Sequence, residues 1–126
     1  MLKERRVGAT ISAADIDRAI AWYHDKLGLD PADKNPGGAM YECGKKTGFG
    51  LYPSQFAGTD QQTVMGWETP ELEKDMDWLR GNGVTFEEYD LPGIKTENGV
   101  ADLGGERGCW FKDSEGNTLS LFERTS

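Results

Sequence analysis

One run of residues is written twice in this chain, and that repeat restricts its folds more than any other feature. Thr10-Ile11-Ser12-Ala13 is followed by IDRAIAWY from Ile16, and Gly66-Trp67-Glu68-Thr69 is followed by LEKDMDWL from Leu72. At one constant offset the second parts match as apolar, acidic, basic, variable, apolar, variable, Trp, apolar. Ile16, Ile20, Tyr23 and Leu27 fall on one helical face, as do Leu72, Met76 and Leu79. Trp22 and Trp78 hold equivalent positions in this pattern and read as packing residues. Thr69-Pro70-Glu71 reads as a helix start: a capping hydroxyl, a proline at the first turn, then a carboxylate near the positive end of the dipole. Both helices run out into glycine, at Gly28 and at Gly81/Gly83.

Strand-like hairpins follow each helix. The first half offers strands at 39–43 and 48–52. The second offers 84–89, 99–103, 108–111 and 118–123, with 90–95 as a longer loop. The last two strands are joined by a tight turn at 113–117, where Gly116 takes a positive φ at little steric cost. Leu119 and Leu121 point to one face of the last strand, and Thr118, Ser120 and Phe122 to the other. A strand, a helix and further strands written twice describe an α+β domain with pseudo-twofold symmetry. The whole chain, 1–126, is read as one domain, with a first βαβββ module over 1–57 and a second over 58–126.

Bulk properties exclude several function classes. No apolar run is long enough to span a bilayer, and the basic start MLKERRVGAT lacks the apolar core of a signal peptide. A net charge of -8 argues against a nucleic-acid backbone as partner and suits a cationic or neutral small ligand. Cys43 and Cys109 lack CxxC spacing and read as reduced thiols of a cytoplasmic protein.

Two stretches carry a family resemblance: ADIDRAIAWY (14–23) with Leu27-Gly28-Leu29, and WFKDSEGN (110–117). The first is similar to the D-L-x-R-A-x-x-F-Y and L-G-hydrophobic pattern of the vicinal oxygen chelate (glyoxalase/bleomycin-resistance) superfamily. The second resembles that superfamily's F-x-D-P-D-G-N turn, with Ser114 in place of the proline. The resemblance covers nearly the whole chain and implies two βαβββ modules curled as a mixed, largely antiparallel sheet around a pocket. In metal-dependent members four inward strand positions hold one divalent cation through His, Glu or Gln. Those positions carry over to about Gly8, Gly50, Val64 and Ser120, none a metal ligand, and the only histidine, His24, lies on the first helix. The expectation is therefore a protein without metal or other cofactor.

Strand alternation predicts what lines the pocket instead. Gly8, Thr10 and Ser12 point in from the first strand; Gly50 and Tyr52 point in from a later one. Val64, Gly66 and Glu68, then Trp110, then Thr118, Ser120 and Phe122 complete the lining. Aromatic walls, hydroxyls and one carboxylate suit a small-molecule site, with Thr10, Ser12, Tyr52, Glu68, Trp110, Ser120 and Phe122 as candidate ligand contacts. Three readings follow. The first is a non-catalytic binder of the bleomycin-resistance type, holding a flat or cationic antibiotic in a groove at a homodimer interface. The second is a metal-independent isomerase or lyase with Glu68 as base. The third is a structural or regulatory dimer with a vestigial pocket. Phe56, apolar in an otherwise polar connection, is the candidate residue to reach across a dimer.

Overall fold

The computed structural model describes residues 1–59 and 61–125. Its first half runs β1 (Ala9–Ala13), α1 (Ile16–Leu27), β2 (Asp33–Asn35), β3 (Gly38–Glu42) and β4 (Gly48–Pro53). Its second half runs β5 (Thr63–Glu68), α2 (Leu72–Gly81), β6 (Asp90–Leu91), β7 (Ile94–Glu97), β8 (Val100–Asp102), β9 (Glu106–Lys112) and β10 (Thr118–Arg124). Two sheets result, ordered β1-β4-β3-β2 and β5-β10-β9-β8-β7-β6. The helix crossovers make β1/β4 and β5/β10 parallel pairs, and all other pairs are antiparallel. β1 and β5 lie side by side without pairing into one ladder. No helix is long and apolar enough to cross a membrane among the described residues.

The core sits on the helix side of both sheets. Ala19 and Tyr23 of α1 are fully buried, as is Leu72 of α2, with Met76 and Leu79 nearly so. They meet Ile11, Phe49, Leu51, Phe111, Leu119 and Leu121 of the strands in one continuous cluster. Asp15 caps α1 through its side chain, which accepts from the Arg18 N–H at 3.0 Å. Gly28 closes α1 in the left-handed region at φ 68°. Cys43 and Cys109 are free thiols. Burial pushes Cys109 up to about 11, which leaves it an inert core residue.

Three expectations are corrected. α2 does not begin at Pro70: the Thr69 hydroxyl accepts from the Glu71 N–H at 3.0 Å, and the helix starts only at Leu72. A carboxylate from β10 takes over the capping, since Glu123 accepts from the Leu72 N–H. The 84–89 run is not a ladder strand: it meets β9 at an isolated Phe86–Phe111 bridge, with the Glu87 N–H donating to the Trp110 carbonyl, and its end is tied to β7, where the Tyr89 carbonyl accepts from the Thr96 N–H. The supposed loop after it is the β6–β7 hairpin, turned by Pro92-Gly93 with Gly93 at φ 86°. Proline followed by glycine fits such a turn as well as it fits a loop. β2 was not expected at all, because Asp33, Lys34 and Asn35 lack any apolar alternation.

The 113–117 turn joins the two halves. Asp113 Oδ1 accepts from the Glu115 and Asn117 N–H groups, while Oδ2 accepts from the Tyr23 hydroxyl at 2.8 Å and from Asn117 Nδ2 at 3.0 Å. Asn117 also donates to the Ser12 carbonyl. The Glu115 carboxylate accepts from the Asp15 N–H and from both Nε and Nη2 of Arg18. Gly58 crosses so close that a Cβ there would meet the Glu115 carbonyl oxygen at 2.5 Å, and its φ of 72° favours glycine as well.

These bonds hold the Glu115 carboxyl at about 2, chiefly through Arg18. A depressed carboxyl contributes stability that is complete above its unfolded value and lost as pH falls through the folded one. Urea unfolding between pH about 5 and 2 should therefore show a steep loss, and Glu115→Gln should flatten part of that slope. Asp113→Ala leaves a buried tyrosine hydroxyl, two backbone amides and one Asn117 side-chain N–H without that acceptor, so it should cost about 3 kcal/mol at neutral pH.

Candidate functional site

The first sheet carries a groove of about 660 Å³ on the face away from the helices. Its floor is a cross-strand row, Thr10–Gly50–Met40–Asp33, set by the β1/β4, β3/β4 and β2/β3 registers. Ser12 pairs with Tyr52 in the next row. Gly50 matters here because Met40 Sδ lies 3.1 Å from where its Cβ would be, so the thioether folds across the glycine. Met40 and Tyr52 are 51% and 41% exposed, leaving apolar surface open to a ligand. Thr10 and Asn35 add polar atoms to the lining, as do Asp33 and Glu42 at its acidic side.

The second sheet presents a matching face. Trp110, Ser120 and Gly66 form one row, and Gly108, Phe122 and Glu68 the next. A Cβ at Gly66 would come within 2.3 Å of Ser120 Oγ, so the serine hydroxyl lies over the glycine. Tyr89 packs edge-on against Trp110 at 5.6 Å. The indole also lies over Gly108, 3.7 Å from a Cβ built there. Trp110 is therefore half-buried along its sheet.

The expected contacts are thus distributed over three places. Thr10 and Tyr52 line the first groove, with Ser12 beside Tyr52. Trp110, Ser120 and Phe122 share the second face; the described lining of the first groove contains none of them. Glu68 lines a separate cavity near α2, its side chain 59% exposed and 3.6 Å from Arg124. Its carboxylate is largely open to solvent and faces a guanidinium. Met40, Asp33 and Asn35 were not anticipated. Alternation along β3 does point Met40 away from Ala39 and Tyr41, whereas β2 offered no signal.

The residues do not fit a resident divalent cation. Gly8, Gly50 and Val64 offer no side-chain donor and Ser120 only a neutral hydroxyl. Among the described residues no three His, Cys, Asp or Glu side chains converge. His24 is exposed on α1, its Nδ1 2.7 Å from Asp30, whose hydrogen bond raises the imidazole pKa.

Sequence and fold together define the class. The model of the Glyoxalase/Bleomycin resistance protein/Dioxygenase superfamily matches residues 7–121, and the chain belongs to that superfamily. No curated protein matches the sequence significantly. Among solved structures, the glyoxalase family protein from Enterococcus faecalis has a TM-score of 0.72 at 18% identity, over 98% of this chain and 100% of that one. The glyoxalase/bleomycin resistance protein from Catenulispora acidiphila reaches 0.66 at 18%, over 94% and 96%. The fosfomycin resistance protein FosX from Listeria monocytogenes, solved with Mn(II) and sulfate, reaches 0.69 at 10%, over 97% and 91%. At these identities the likeness is one of fold.

Dialysis against manganese, nickel or zinc followed by elemental analysis should leave far less than one ion per chain, with no shift in melting temperature. One tightly held ion that Ser120→Ala releases would refute the donor argument.

Proposed function

We propose that this chain is a metal-free, non-catalytic small-molecule-binding protein of the bleomycin-resistance type, sequestering a flat or cationic antibiotic in the cytoplasm as a homodimer. The observation that carries this reading is the first-sheet groove. Its floor joins the Thr10 hydroxyl, Gly50 and the Met40 thioether, the Tyr52 ring stands beside it, and among the described lining residues Asp33 and Glu42 outnumber the one arginine, Arg6. Flat apolar surface with a few orienting polar groups binds without reacting. No candidate base lines it beside a second titratable group in a buried setting, and Glu68 lies elsewhere. The free thiols of Cys43 and Cys109 accord with a reducing compartment.

Bleomycin is the probe of choice. Tyr52→Ala should weaken its binding about tenfold, and Gly50→Leu, which fills the floor, by about a hundredfold, with both variants folded. Unchanged affinity in both would remove the groove as the site. Chemical conversion of the bound probe on prolonged incubation would overturn the non-catalytic part.

The dimer follows from incompleteness. One chain offers a groove on its first sheet and an aromatic face on its second, and a partner's second face would cover the first groove. Phe56 is 67% exposed and Val7 96%, apolar surface suited to a contact between chains. Light scattering at tens of micromolar should give about twice the 13.9 kDa of the chain, and Phe56→Asp should shift the mass toward monomer. A monomer at all concentrations would exclude the shared groove.

A further inference from the structure

The two tryptophans that the repeat places at equivalent positions have different surroundings. Trp22 is half-buried, edge-on to Tyr23 at 5.2 Å and stacked on Phe111 at 6.5 Å. Trp78 is 54% exposed. Its benzo edge rests on the backbone of Gly28, where a Cβ would come 3.3 Å from the ring. Trp78 borders a second cavity of about 300 Å³, on the helix side of the second sheet and away from the first groove. Trp67 forms another wall and is fixed by an edge-on contact with Phe49 at 6.1 Å. Leu27, Phe111 and Leu121 supply an apolar floor.

Two carboxylates, Glu68 and Asp75, and Thr69 stand in this largely apolar lining. Asp75 is half-buried and has no ion pair among the described residues. Glu68 faces Arg124 at 3.6 Å, but that arginine is 71% exposed and outside the lining. A pair so exposed is weak enough to yield to another cation.

We propose that this cavity binds a small organic cation with an aromatic or branched apolar body, an arylalkylammonium in type. Indole rings attract a cation through their quadrupole, most strongly where water is partly excluded. The floor takes the apolar body, and Glu68 and Asp75 select positive over negative charge. An anion meets two carboxylates, and a neutral arene forgoes both the carboxylate and the ring attraction. The site does not depend on the first groove, with whose lining it shares no residue among those described.

Phenethylammonium and phenethyl alcohol share ring and chain length and differ in charge, so they make the test. Titration at neutral pH is followed by indole N–H resonances, assigned through single Trp→Phe variants. The ammonium should bind with a dissociation constant of about 1 mM or lower and the alcohol at least about tenfold more weakly, moving the Trp67 and Trp78 signals but not Trp110. Trp78→Ala should weaken the ammonium about tenfold and Asp75→Asn about threefold. Tyr52→Ala should leave it unchanged, and Trp78→Ala should leave bleomycin affinity in the groove unchanged, which separates the two sites. Equal binding of the alcohol, no movement at about 10 mM ligand, shifts confined to Trp110, or full affinity in both Trp78→Ala and Asp75→Asn would each overturn the assignment.

Discussion

The 113–117 turn is the constraint on which the rest of the structure depends. It belongs to the second sheet, yet nearly every side chain in it is spent on the first half of the chain. Asp113 and Glu115 are 6% and 7% exposed, and carboxylates are rarely so buried without compensation. Here compensation is complete. Four donors converge on Asp113, and Glu115 takes the Asp15 N–H, the Arg18 fork and the Ser114 hydroxyl. Bidentate geometry makes the Arg18 contact directional as well as attractive. Arg18 itself keeps 56% of its side chain in solvent, so the pair avoids the full desolvation of two buried ions. Ser114, standing where the superfamily has proline, gives up that residue's rigidity and adds one donor.

Most of the fold was legible because it is written in periodicity. The repeated helices, their glycine ends and the inward leucines of β10 needed only the spacing of apolar residues. The failures have local physical causes. The 84–89 run carries Val84, Phe86 and Tyr89, all good strand formers, but its backbone meets the sheet at separate points, Phe86 and Glu87 on β9 and Tyr89 on β7, and forms no continuous ladder; tertiary context overrode propensity. Asp33–Asn35 is a strand by pairing alone: the chain turns back after Asn35, and Asp33, Lys34 and Asn35 pair with Met40, Ala39 and Gly38. On its other side a Cβ at Gly38 would lie 1.9 Å from the Leu51 carbonyl oxygen of β4, so only glycine lets β3 lie close enough to β4 there.

The site was legible one strand at a time and not as an assembly. Alternation named the residues on each concave face, and the registers agree row by row: Thr10 with Gly50, Trp110 with Ser120 and Gly66. Which faces share a groove is decided by sheet curvature and by how β1 meets β5, and neither is encoded in alternation. Glu68 shows the limit. It alternates correctly with Trp67, but it ends an outer strand, where the chain turns toward α2 and carries the carboxylate to the cavity beside Trp78.

The broken equivalence of Trp22 and Trp78 shows how a sequence repeat can hold while its packing does not. Phe111 on β9, cross-strand neighbour of Leu119, gives Trp22 a ring to lie on. Its counterpart in the first sheet is Tyr41 on β3, cross-strand neighbour of Phe49. That ring is already taken: Phe49 stacks on it at 4.7 Å and Tyr23 packs against it at 5.7 Å. Leu119 in the second sheet is too small to cover Phe111 in the way Phe49 covers Tyr41, so only one sheet has an aromatic platform free. Trp22 takes it and joins the core. Trp78, with no equivalent platform, settles against the bare backbone of Gly28, which can accept it because the glycine there has no side chain. An indole left half in water beside two carboxylates is then a consequence of unequal core packing, and the cavity it borders follows from that difference between the halves.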